Sequence, residues 1–331
     1  MKAVVINETG DSSVLTYHDI HSNSLQPNEV RLKVEASAVN YIDTIIRSGN
    51  MPPGMMPELP FIPGVECIAT VAEVGEKVSH VLPGQRVAYF GEIGASTYAT
   101  EITIDPNRLV AIPSSVEPAQ AAVIPVNYAT AYHMLHNLAG IKAGDIVFVH
   151  AAAGGVGTAI IQLAKLVGAT VIGSVGSEEK RKYILKEGAD FAINYNAEEV
   201  SQKVKKYTDG RGVDASFNPV AGETMISDLN LLAPFGHLVI FGFLAGLPEE
   251  KVQDAMLNQF GKSLTISYSD IYTLYKSDFQ GLKSILEKLF GLLSEGRISP
   301  KVYQQIPLEN AAEAHDLLES GKVSGKLVLV P

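Results

Sequence analysis

The sequence of 331 residues contains a single cysteine and no tryptophan. One cysteine, Cys67, cannot form a disulfide within the chain or supply a cysteine-rich zinc site. No uninterrupted apolar run approaches the roughly 20 residues that a membrane helix needs. The short apolar run at residues 3–6 is not long enough for a secretory signal. We therefore expect a cytoplasmic protein with no membrane partner.

Basic residues are also in the minority. The chain has 26 lysines and arginines against 36 aspartates and glutamates, which gives a net charge of −10. Sequence-independent nucleic-acid binding needs a basic surface, so this balance counts against it. At roughly 150 residues per domain, the length predicts about two domains.

The first third of the sequence has a pattern typical of β-structure. Residues 30–39 alternate apolar and polar side chains, as in a half-buried strand. Four prolines in residues 53–63, counting Pro53 and Pro63 themselves, argue against a helix there. We expect a loop, which is either a surface excursion or a wall of a substrate cleft.

Strand and helix patterns alternate after residue 145. Short apolar runs predict strands at 146–150, 170–174, 191–194, 214–217 and 238–242. Amphipathic helices fit between them, at 156–167 and 177–186, and are stopped by Gly168 and Gly188 respectively. This alternation predicts a parallel sheet with helices on both faces. The tail leaves the alternation, with a helix at 279–293 and then strand, helix and strand at 303–307, 309–319 and 326–330.

A glycine-rich turn follows the first strand of this series. Ala152, Gly154 and Gly157 occupy the three small-residue places of the fingerprint that binds dinucleotides. The helix that begins at Gly155 and Val156 offers unpaired amides and a positive dipole end to phosphate. A structural turn is the alternative, but its position between a strand and a helix favours nucleotide binding.

The second strand of the series favours NADPH over NADH. An NAD site usually places a carboxylate about 20 residues beyond the turn, against the ribose 2′-hydroxyl. Here Gly173 and Ser177 precede the first acid, Glu178, and the basic residues Lys180 and Arg181 follow. A 2′-phosphate would meet hydroxyl and cationic donors there. The alternative is a helix start capped by Ser177, with solvated charges behind it.

Several motifs in order carry a family resemblance along the whole chain. They are GD-x-x-F-x-x-x-AAGG-x-G-x-x-x-x-Q-x-x-K at 144–165, NYIDT at 40–44, RSG at 47–49, GVE at 64–66, GQRV at 84–87 and GKLV at 325–328. The sequence resembles the zinc-free quinone oxidoreductase branch of the medium-chain dehydrogenase/reductase superfamily. Phe148 departs from the signature, which expects leucine at this strand position.

The resemblance implies an α/β fold. A GroES-like, partly open β-barrel catalytic domain would be split by an inserted Rossmann domain with a doubly wound parallel sheet, and the substrate cleft would lie between them. We expect the catalytic domain at residues 1–123 and 265–331 and the NADPH-binding domain at 124–264. Members are commonly homodimers joined through the edges of their Rossmann sheets. Residues 263–269 would be that edge strand, or an ordinary sixth strand of the sheet.

The resemblance also bears on metal binding. Zinc-dependent members carry cysteine where Asn40 stands and histidine where Val65 stands, so we expect no metal site. Cys67 lies in an apolar strand and is expected to be an inert core thiol. Without zinc, NADPH would deliver hydride to an electron-poor small molecule, a quinone or an activated alkene. The protein would then supply position, a dry site and hydrogen bonds to the acceptor oxygen.

Candidate catalytic residues follow from the same resemblance. Asn40 would donate to an acceptor oxygen, or it would cap the next helix. Asp43 would lie at the cleft floor, or it would pair with Arg47 four residues further on, and we favour this pairing. Relatives often carry a tyrosine at one of two nearby places, which are occupied by the apolar residues Ile45 and Met51 here. The remaining tyrosines that could serve as a binder or proton donor are Tyr41 and Tyr128.

Further cofactor contacts are implied by family position and by the ends of the sheet strands. Thr130 would lie near the cofactor, Tyr195 against the adenosine phosphate, and Lys326 would reach the cofactor or be a solvated charge. Ligands of open α/β sheets bind at the carboxyl ends of the strands. The candidates at the ends of later strands are Asn218, Phe241, Gly242 and Phe243.

The sequence leaves more than one function open. The leading interpretation is an NADPH-dependent quinone reductase. An enone, alkenal or enoyl-thioester reductase would use the same cofactor site. A different class of protein would bind NADPH or RNA without catalysis, although only the short basic stretch at residues 203–206 speaks for RNA.

Overall fold

A computed structural model of the chain describes residues 1–52 and 54–331. Pro53, at the start of the predicted loop, lies outside the described residues. Residues 54–63 form no helix or extended strand, as their prolines predict, and Phe61 makes an isolated bridge to Ile6. Within the described residues, no helix is long and apolar enough to cross a bilayer.

The chain divides into two units. The first comprises residues Met1–Val126 and Gln280–Pro331, and the second comprises residues Asn127–Phe279. Our expected second boundary, at residue 265, differs from this division. The physical reason is that the strand Thr265–Tyr268 pairs inside the parallel sheet of the inserted unit.

The strands are numbered in chain order. They are β1 (Lys2–Val5), β2 (Thr16–Asp19), β3 (Val30–Ala38), β4 (Glu66–Val74), β5 (Arg86–Phe90), β6 (Glu101–Ile104), β7 (Leu109–Ala111), β8 (Ile146–Val149), β9 (Thr170–Val175), β10 (Phe191–Asn194), β11 (Val213–Asn218), β12 (Leu232–Ile240), β13 (Thr265–Tyr268), β14 (Val302–Pro307) and β15 (Lys326–Val330).

The helices are numbered in the same way. They are α1 (Tyr41–Ser48), α2 (Pro118–Ala121), α3 (Ala129–Tyr132), α4 (Gly155–Val167), α5 (Glu178–Lys186), α6 (Val200–Tyr207), α7 (Glu223–Leu231), α8 (Val252–Asn258), α9 (Ile271–Ser277), α10 (Phe279–Ser294) and α11 (Ala311–Glu319). Two π-helical segments, Ile124–Tyr128 and His133–Leu138, flank α3.

The first unit is built on a mainly antiparallel sheet in the order β14-β15-β3-β4-β5-β7, with β6 also paired to β3. Alternate residues of β3 point inwards, and Val30, Leu32 and Val34 pack with Val71 and Val87 in one core. The C-terminal strand β15 pairs with β3, which in turn pairs with β4. Strands distant in sequence therefore meet at the ends where the site residues of this unit lie.

The second unit is a six-stranded parallel sheet in the order β10-β9-β8-β11-β12-β13. This confirms the predicted α/β fold class with its Rossmann sheet. Helix α4 ends at Gly168, which takes a left-handed conformation with φ 89°, as the sequence predicts. Strand β12 begins at Leu232, ahead of the predicted 238, and its register with β11 shifts between Val213 and Ala215.

Candidate active site

The glycine-rich turn has the geometry that a dinucleotide requires. Gly154 is the N-cap of α4 in an extended conformation, and no side chain caps the helix. A Cβ on Gly157 would lie 2.6 Å from the Ala151 carbonyl oxygen and 2.7 Å from the Cα of Ala152, so only glycine lets the helix pack this closely on the turn. The first amides of α4 are left for a ligand.

A buried acceptor lies beside this turn. The Oδ1 atom of Asn127 is buried and receives no hydrogen bond from the described residues. A Cβ on Gly155 would come within 2.8 Å of that oxygen, so the absent side chain leaves room beside it. The unpaired Asn127 oxygen and the uncapped backbone amides at the start of α4 fit a nucleotide cofactor. Sequence reasoning missed Asn127, which precedes the inserted sheet and matches no motif.

The second strand packs tightly against the turn. A Cβ on Gly173 would lie 2.9 Å from the Cβ of Ala152. The Ser177 hydroxyl accepts from the Lys180 amide at 3.2 Å, so the predicted helix cap is present. Arg181 lies 3.6 Å from Glu178 in a partly exposed ion pair. This segment therefore combines a hydroxyl and two basic side chains with two neighbouring carboxylates, Glu178 and Glu179.

Two further candidates shape the carboxyl end of the sheet. Tyr195 is half exposed after β10, and a Cβ on Gly176 would lie 2.6 Å from its hydroxyl oxygen. The Asn218 side chain is fully engaged: its Nδ2 donates to Thr224 and Asp228, each at 2.8 Å, and its Oδ1 accepts from two backbone amides. Asn218 thus builds the turn after β11.

The candidates near β12 and α3 lie in the same unit. Phe241, Gly242 and Phe243 follow β12, and the Phe243 ring stacks on Tyr268 with centroids 6.1 Å apart. A Cβ on Gly242 would lie 2.7 Å from a backbone carbonyl oxygen of the adjacent turn, which requires glycine there. Thr130 is buried in α3.

The two candidate tyrosines have different surroundings. Tyr128 is fully buried, and its hydroxyl donates to Oε1 of Gln162 at 2.7 Å. Burial raises the pKa of Tyr128 well above its ordinary value of 10. Tyr41, the first residue of α1, is 48% exposed. This burial favours a structural role for Tyr128 and leaves Tyr41 as the accessible hydroxyl.

A buried polar centre in the first unit joins three strands. Asn40 follows β3, Glu66 begins β4 and Lys326 begins β15, and all three are at most 5% exposed. The Lys326 ammonium donates to Oδ1 of Asn40 and lies 3.5 Å from Oε1 of Glu66. Lys326 is thus no solvated charge. We call these three residues the lysine centre.

The Asn40 amide is already committed within the lysine centre. Its Nδ2 donates to Oε1 of Glu66 at 2.8 Å and to the Ala38 carbonyl oxygen at 3.4 Å. Donation to a bound acceptor would require one of these contacts to be released. Burial raises the pKa of Glu66 and lowers the pKa of Lys326. The opposite charges act against these shifts, because the ammonium lowers the pKa of Glu66 and the carboxylate raises the pKa of Lys326.

Asp43 lies beside the lysine centre on the first turn of α1. Its Oδ2 accepts from the backbone amide of Asn40 at 2.8 Å and from the Tyr98 hydroxyl at 3.1 Å. The expected pairing with Arg47 is wrong: the Arg47 guanidinium turns the other way and binds Glu319 at 2.9 Å. Burial raises the pKa of Asp43 to about 7.

The donor set does not fit zinc. No group of three histidine, cysteine or acidic side chains in the described part of the chain could hold a metal ion. Asn40 and an ammonium occupy the lysine centre, and the buried Val65 offers no donor. Cys67 is a buried free thiol whose pKa is raised by desolvation, which agrees with an inert core residue.

Sequence reasoning assigned no role to Glu66, Tyr98 or His315. For Glu66 the available signals were its place in the GVE motif and its position in an apolar run, because a carboxylate is rarely buried without a partner. Tyr98 and His315 are separated by 217 positions and meet only through the fold.

Comparison with known proteins identifies the family. The chain matches the family described as "Alcohol dehydrogenase GroES-like domain" over residues 26–114 and "Zinc-binding dehydrogenase" over residues 155–288. It is 34% identical to a quinone oxidoreductase of Pseudomonas aeruginosa, over 97% of each chain. The chain belongs to the medium-chain dehydrogenase/reductase superfamily, in its quinone oxidoreductase branch. It is an NAD(P)H-dependent reductase of that type.

Other relatives widen the comparison. The structure of Escherichia coli quinone oxidoreductase complexed with NADPH has a TM-score of 0.92 and 31% identity, covering 100% of both chains. A 2-haloacrylate reductase of Burkholderia is 31% identical over 99% of this chain and 98% of its own length. The chain also matches a highly reducing polyketide synthase of Cladosporium cladosporioides, at 33% identity, but spans only 12% of that protein.

The buried Asp43 predicts a pH-dependent stability. Its pKa is about 7 in the folded protein and has its ordinary value of 3.8 in the unfolded chain, so the folded state binds the extra proton between these values. The free energy of unfolding should therefore fall as pH rises through this window, by at most about 4 kcal/mol. Asp43→Asn should flatten that dependence.

Urea denaturation at pH values between 4 and 8 measures this effect. Asp254→Asn, at an exposed position of α8, is the matched control and should keep the wild-type dependence. Equal slopes for the wild-type protein and Asp43→Asn would contradict the shifted carboxyl.

Proposed function

We propose that the protein is an NADPH-dependent, zinc-independent reductase whose acceptor is a quinone. The observation that carries this proposal is the lysine centre, which holds a fixed ammonium in a buried place without a metal donor set. A quinone accepts hydride readily, and its reduction needs mainly a positive group where charge develops on oxygen. The lysine centre supplies such a group without reorganisation at the moment of reaction.

Each residue of the lysine centre has a distinct task in this proposal. Lys326 stabilises the negative charge that forms on the acceptor oxygen when hydride is added. Asn40 and Glu66 hold the ammonium in place through the Asn40 oxygen and the 3.5 Å ion pair. The proton that completes the reduction comes from water or from the half-exposed Tyr41 hydroxyl.

The second unit would hold the cofactor. The amides of Gly155, Val156 and Gly157 would bind the pyrophosphate, and Ser177 with Arg181 would meet the 2′-phosphate. NADPH supplies the hydride when bound. The E. coli relative whose structure contains NADPH supports this choice. The other residues that we propose for the cofactor site are Thr130, Ala152, Gly154, Gly173, Lys180, Tyr195, Asn218, Phe241, Gly242 and Phe243.

A second candidate function is reduction of an activated carbon–carbon double bond. The similarity to a 2-haloacrylate reductase along almost the whole chain favours it. An enone, alkenal or enoyl thioester also develops negative charge on its carbonyl oxygen after hydride addition, so Lys326 would serve equally. The two candidates differ only in the acceptor.

We also propose a homodimer joined through β13. This strand forms one edge of the six-stranded sheet, and an uncovered edge presents unpaired backbone groups that a second copy could pair. The exposed Tyr268 on β13 and the neighbouring Phe243 add apolar surface there.

Reduction of a panel of acceptors tests the function. With NADPH, quinones should be reduced with a higher kcat/KM than alkenals or short enoyl thioesters. Preference for the alkenals or thioesters would support the second candidate. Binding of NADPH without reduction of any acceptor would contradict both and favour a non-catalytic role, for which RNA binding at moderate salt is a direct assay.

Cofactor preference tests the proposed 2′-phosphate site. Arg181→Gln should weaken NADPH binding by about tenfold, because one charged hydrogen-bond partner is lost, while NADH binding stays the same. Arg211→Gln is the matched control, since Arg211 is also a surface arginine paired three residues along, with Asp214. Fluorescence titration measures both. Wild-type protein that binds NADH as tightly as NADPH would overturn this assignment.

The dimer is tested by placing a charge on the edge strand. Tyr268→Lys should shift sedimentation from dimer towards monomer, because a desolvated charge opposes strand pairing. Tyr303→Lys, at a similarly exposed position on the edge strand β14, should leave the dimer intact. A monomeric wild-type protein at micromolar concentration would contradict the proposal.

A further inference from the structure

We propose that Tyr98 and His315 are positioning residues that act through Asp43 to hold the lysine centre, and that loss of the Asp43 charge loosens it. The inference rests on the proposed function, because it concerns the ammonium that would stabilise the acceptor. It assigns roles to two side chains that lie outside the catalytic and cofactor residues described above.

A chain of buried hydrogen bonds reaches Asp43 from α11. The Arg47 guanidinium lies 3.4 Å from Nδ1 of His315, and Nε2 of His315 lies 3.2 Å from the Tyr98 hydroxyl. That hydroxyl lies 3.1 Å from Oδ2 of Asp43. Glu319, at the end of α11, anchors the guanidinium with two hydrogen bonds. We call this the donor chain.

Each hydrogen bond of the donor chain has a fixed direction. A guanidinium can only donate, so Nδ1 of His315 accepts. The single N–H of the neutral His315 ring is therefore on Nε2. Nε2 then donates to the Tyr98 oxygen, and the Tyr98 hydroxyl donates to Asp43. Burial lowers the pKa of His315 to about 3, with the Arg47 charge as a second cause, so the ring stays neutral.

The fold makes specific room for this chain. Gly64 has φ 92°, and a Cβ there would lie 2.4 Å from the ring of Tyr98. The Tyr98 amide donates to the Pro63 carbonyl oxygen at 3.0 Å, which fixes the backbone beside the ring. The Tyr98 and His315 rings meet edge to face at 5.9 Å. The tyrosine therefore has little freedom to turn its hydroxyl elsewhere.

Asp43 connects the donor chain to the lysine centre. Its Oδ2 also accepts from the backbone amide of Asn40, whose side chain holds Lys326. Oδ2 therefore accepts two hydrogen bonds, one from the donor chain and one from the backbone amide of Asn40. The other oxygen, Oδ1, is buried and has no partner among the described residues. An unsatisfied oxygen at this position costs stability, which is typical of a residue retained for function.

The charge of Asp43 is set by all the groups that face it. Burial disfavours the carboxylate, and the Glu66 charge adds to this effect. The backbone amide of Asn40, the Lys326 ammonium and the Tyr98 hydroxyl favour the carboxylate. An ionised Asp43 is a stronger acceptor for the Asn40 amide than a protonated one. Below about pH 7 the carboxyl gains a proton, its hold on Asn40 weakens, and kcat should fall.

The pH profile of kcat tests the proposal. Wild-type protein should lose activity as pH falls through about 7. Tyr98→Phe removes a hydrogen bond that favours the carboxylate, so its acidic limb should move up by about one pH unit. His315→Leu should move the limb in the same direction. His315→Gln should restore it, because an amide can accept from Arg47 and donate to Tyr98. Tyr17→Phe, in β2, is the control and should keep the wild-type profile.

A second readout does not depend on catalysis or on the choice of acceptor. Infrared difference spectra should show the carbonyl band of a protonated acid that titrates near pH 7 and is absent in Asp43→Asn. In Tyr98→Phe this band should titrate at higher pH. Thermal unfolding checks that each variant is folded.

The outcomes separate this inference from the proposed function. Inactivity towards every acceptor would refute the function, and the infrared titration would still decide the role of Tyr98. An acidic limb or an infrared titration that is the same in wild-type protein, folded Tyr98→Phe and folded His315→Leu would overturn the inference. A uniform loss of kcat at all pH values would do the same, since a purely structural role predicts it.

Discussion

Burial of the Lys326 ammonium is the constraint on which the first unit depends. A cation in an apolar interior is expensive unless nearby groups repay the lost hydration. Glu66 supplies the opposite charge and Asn40 an oxygen, while the second Glu66 oxygen accepts from the Val126 amide at 2.8 Å. These partners reach one point because β15, β3 and β4 are neighbours in the sheet.

The second unit follows a different physical logic. The part of its proposed cofactor site that would hold the pyrophosphate is made from backbone rather than from charged side chains: an uncapped helix start, close glycine contacts and strand ends. Backbone amides bind phosphate through a shape that small residues allow, and this shape depends little on long-range contacts. The two sites therefore differ in how strongly each depends on residues that are distant in sequence.

This difference explains how far the sequence could be read. Strand β10 and the end of α4 agree with their predicted positions, because periodicity and a stop glycine are local signals. The partner of Arg47 was not predictable, since the rule for residues four apart favours Asp43 while the fold offers Glu319 from α11. For Lys326 the sequence leaves a cofactor contact and a solvated charge both open, and its burial follows only from the position of β15 between β14 and β3.

The position of β15 has a consequence for biosynthesis. Asn40 and Lys326 are separated by 286 positions, and the whole inserted unit lies between them in the chain. During synthesis, Glu66 and Asp43 are made before the inserted sheet, and Lys326 is made after it. The two acids can be buried beside a cation only once Lys326 has been made. The ionic contacts of the first unit therefore form last, even though most of its strands are translated first.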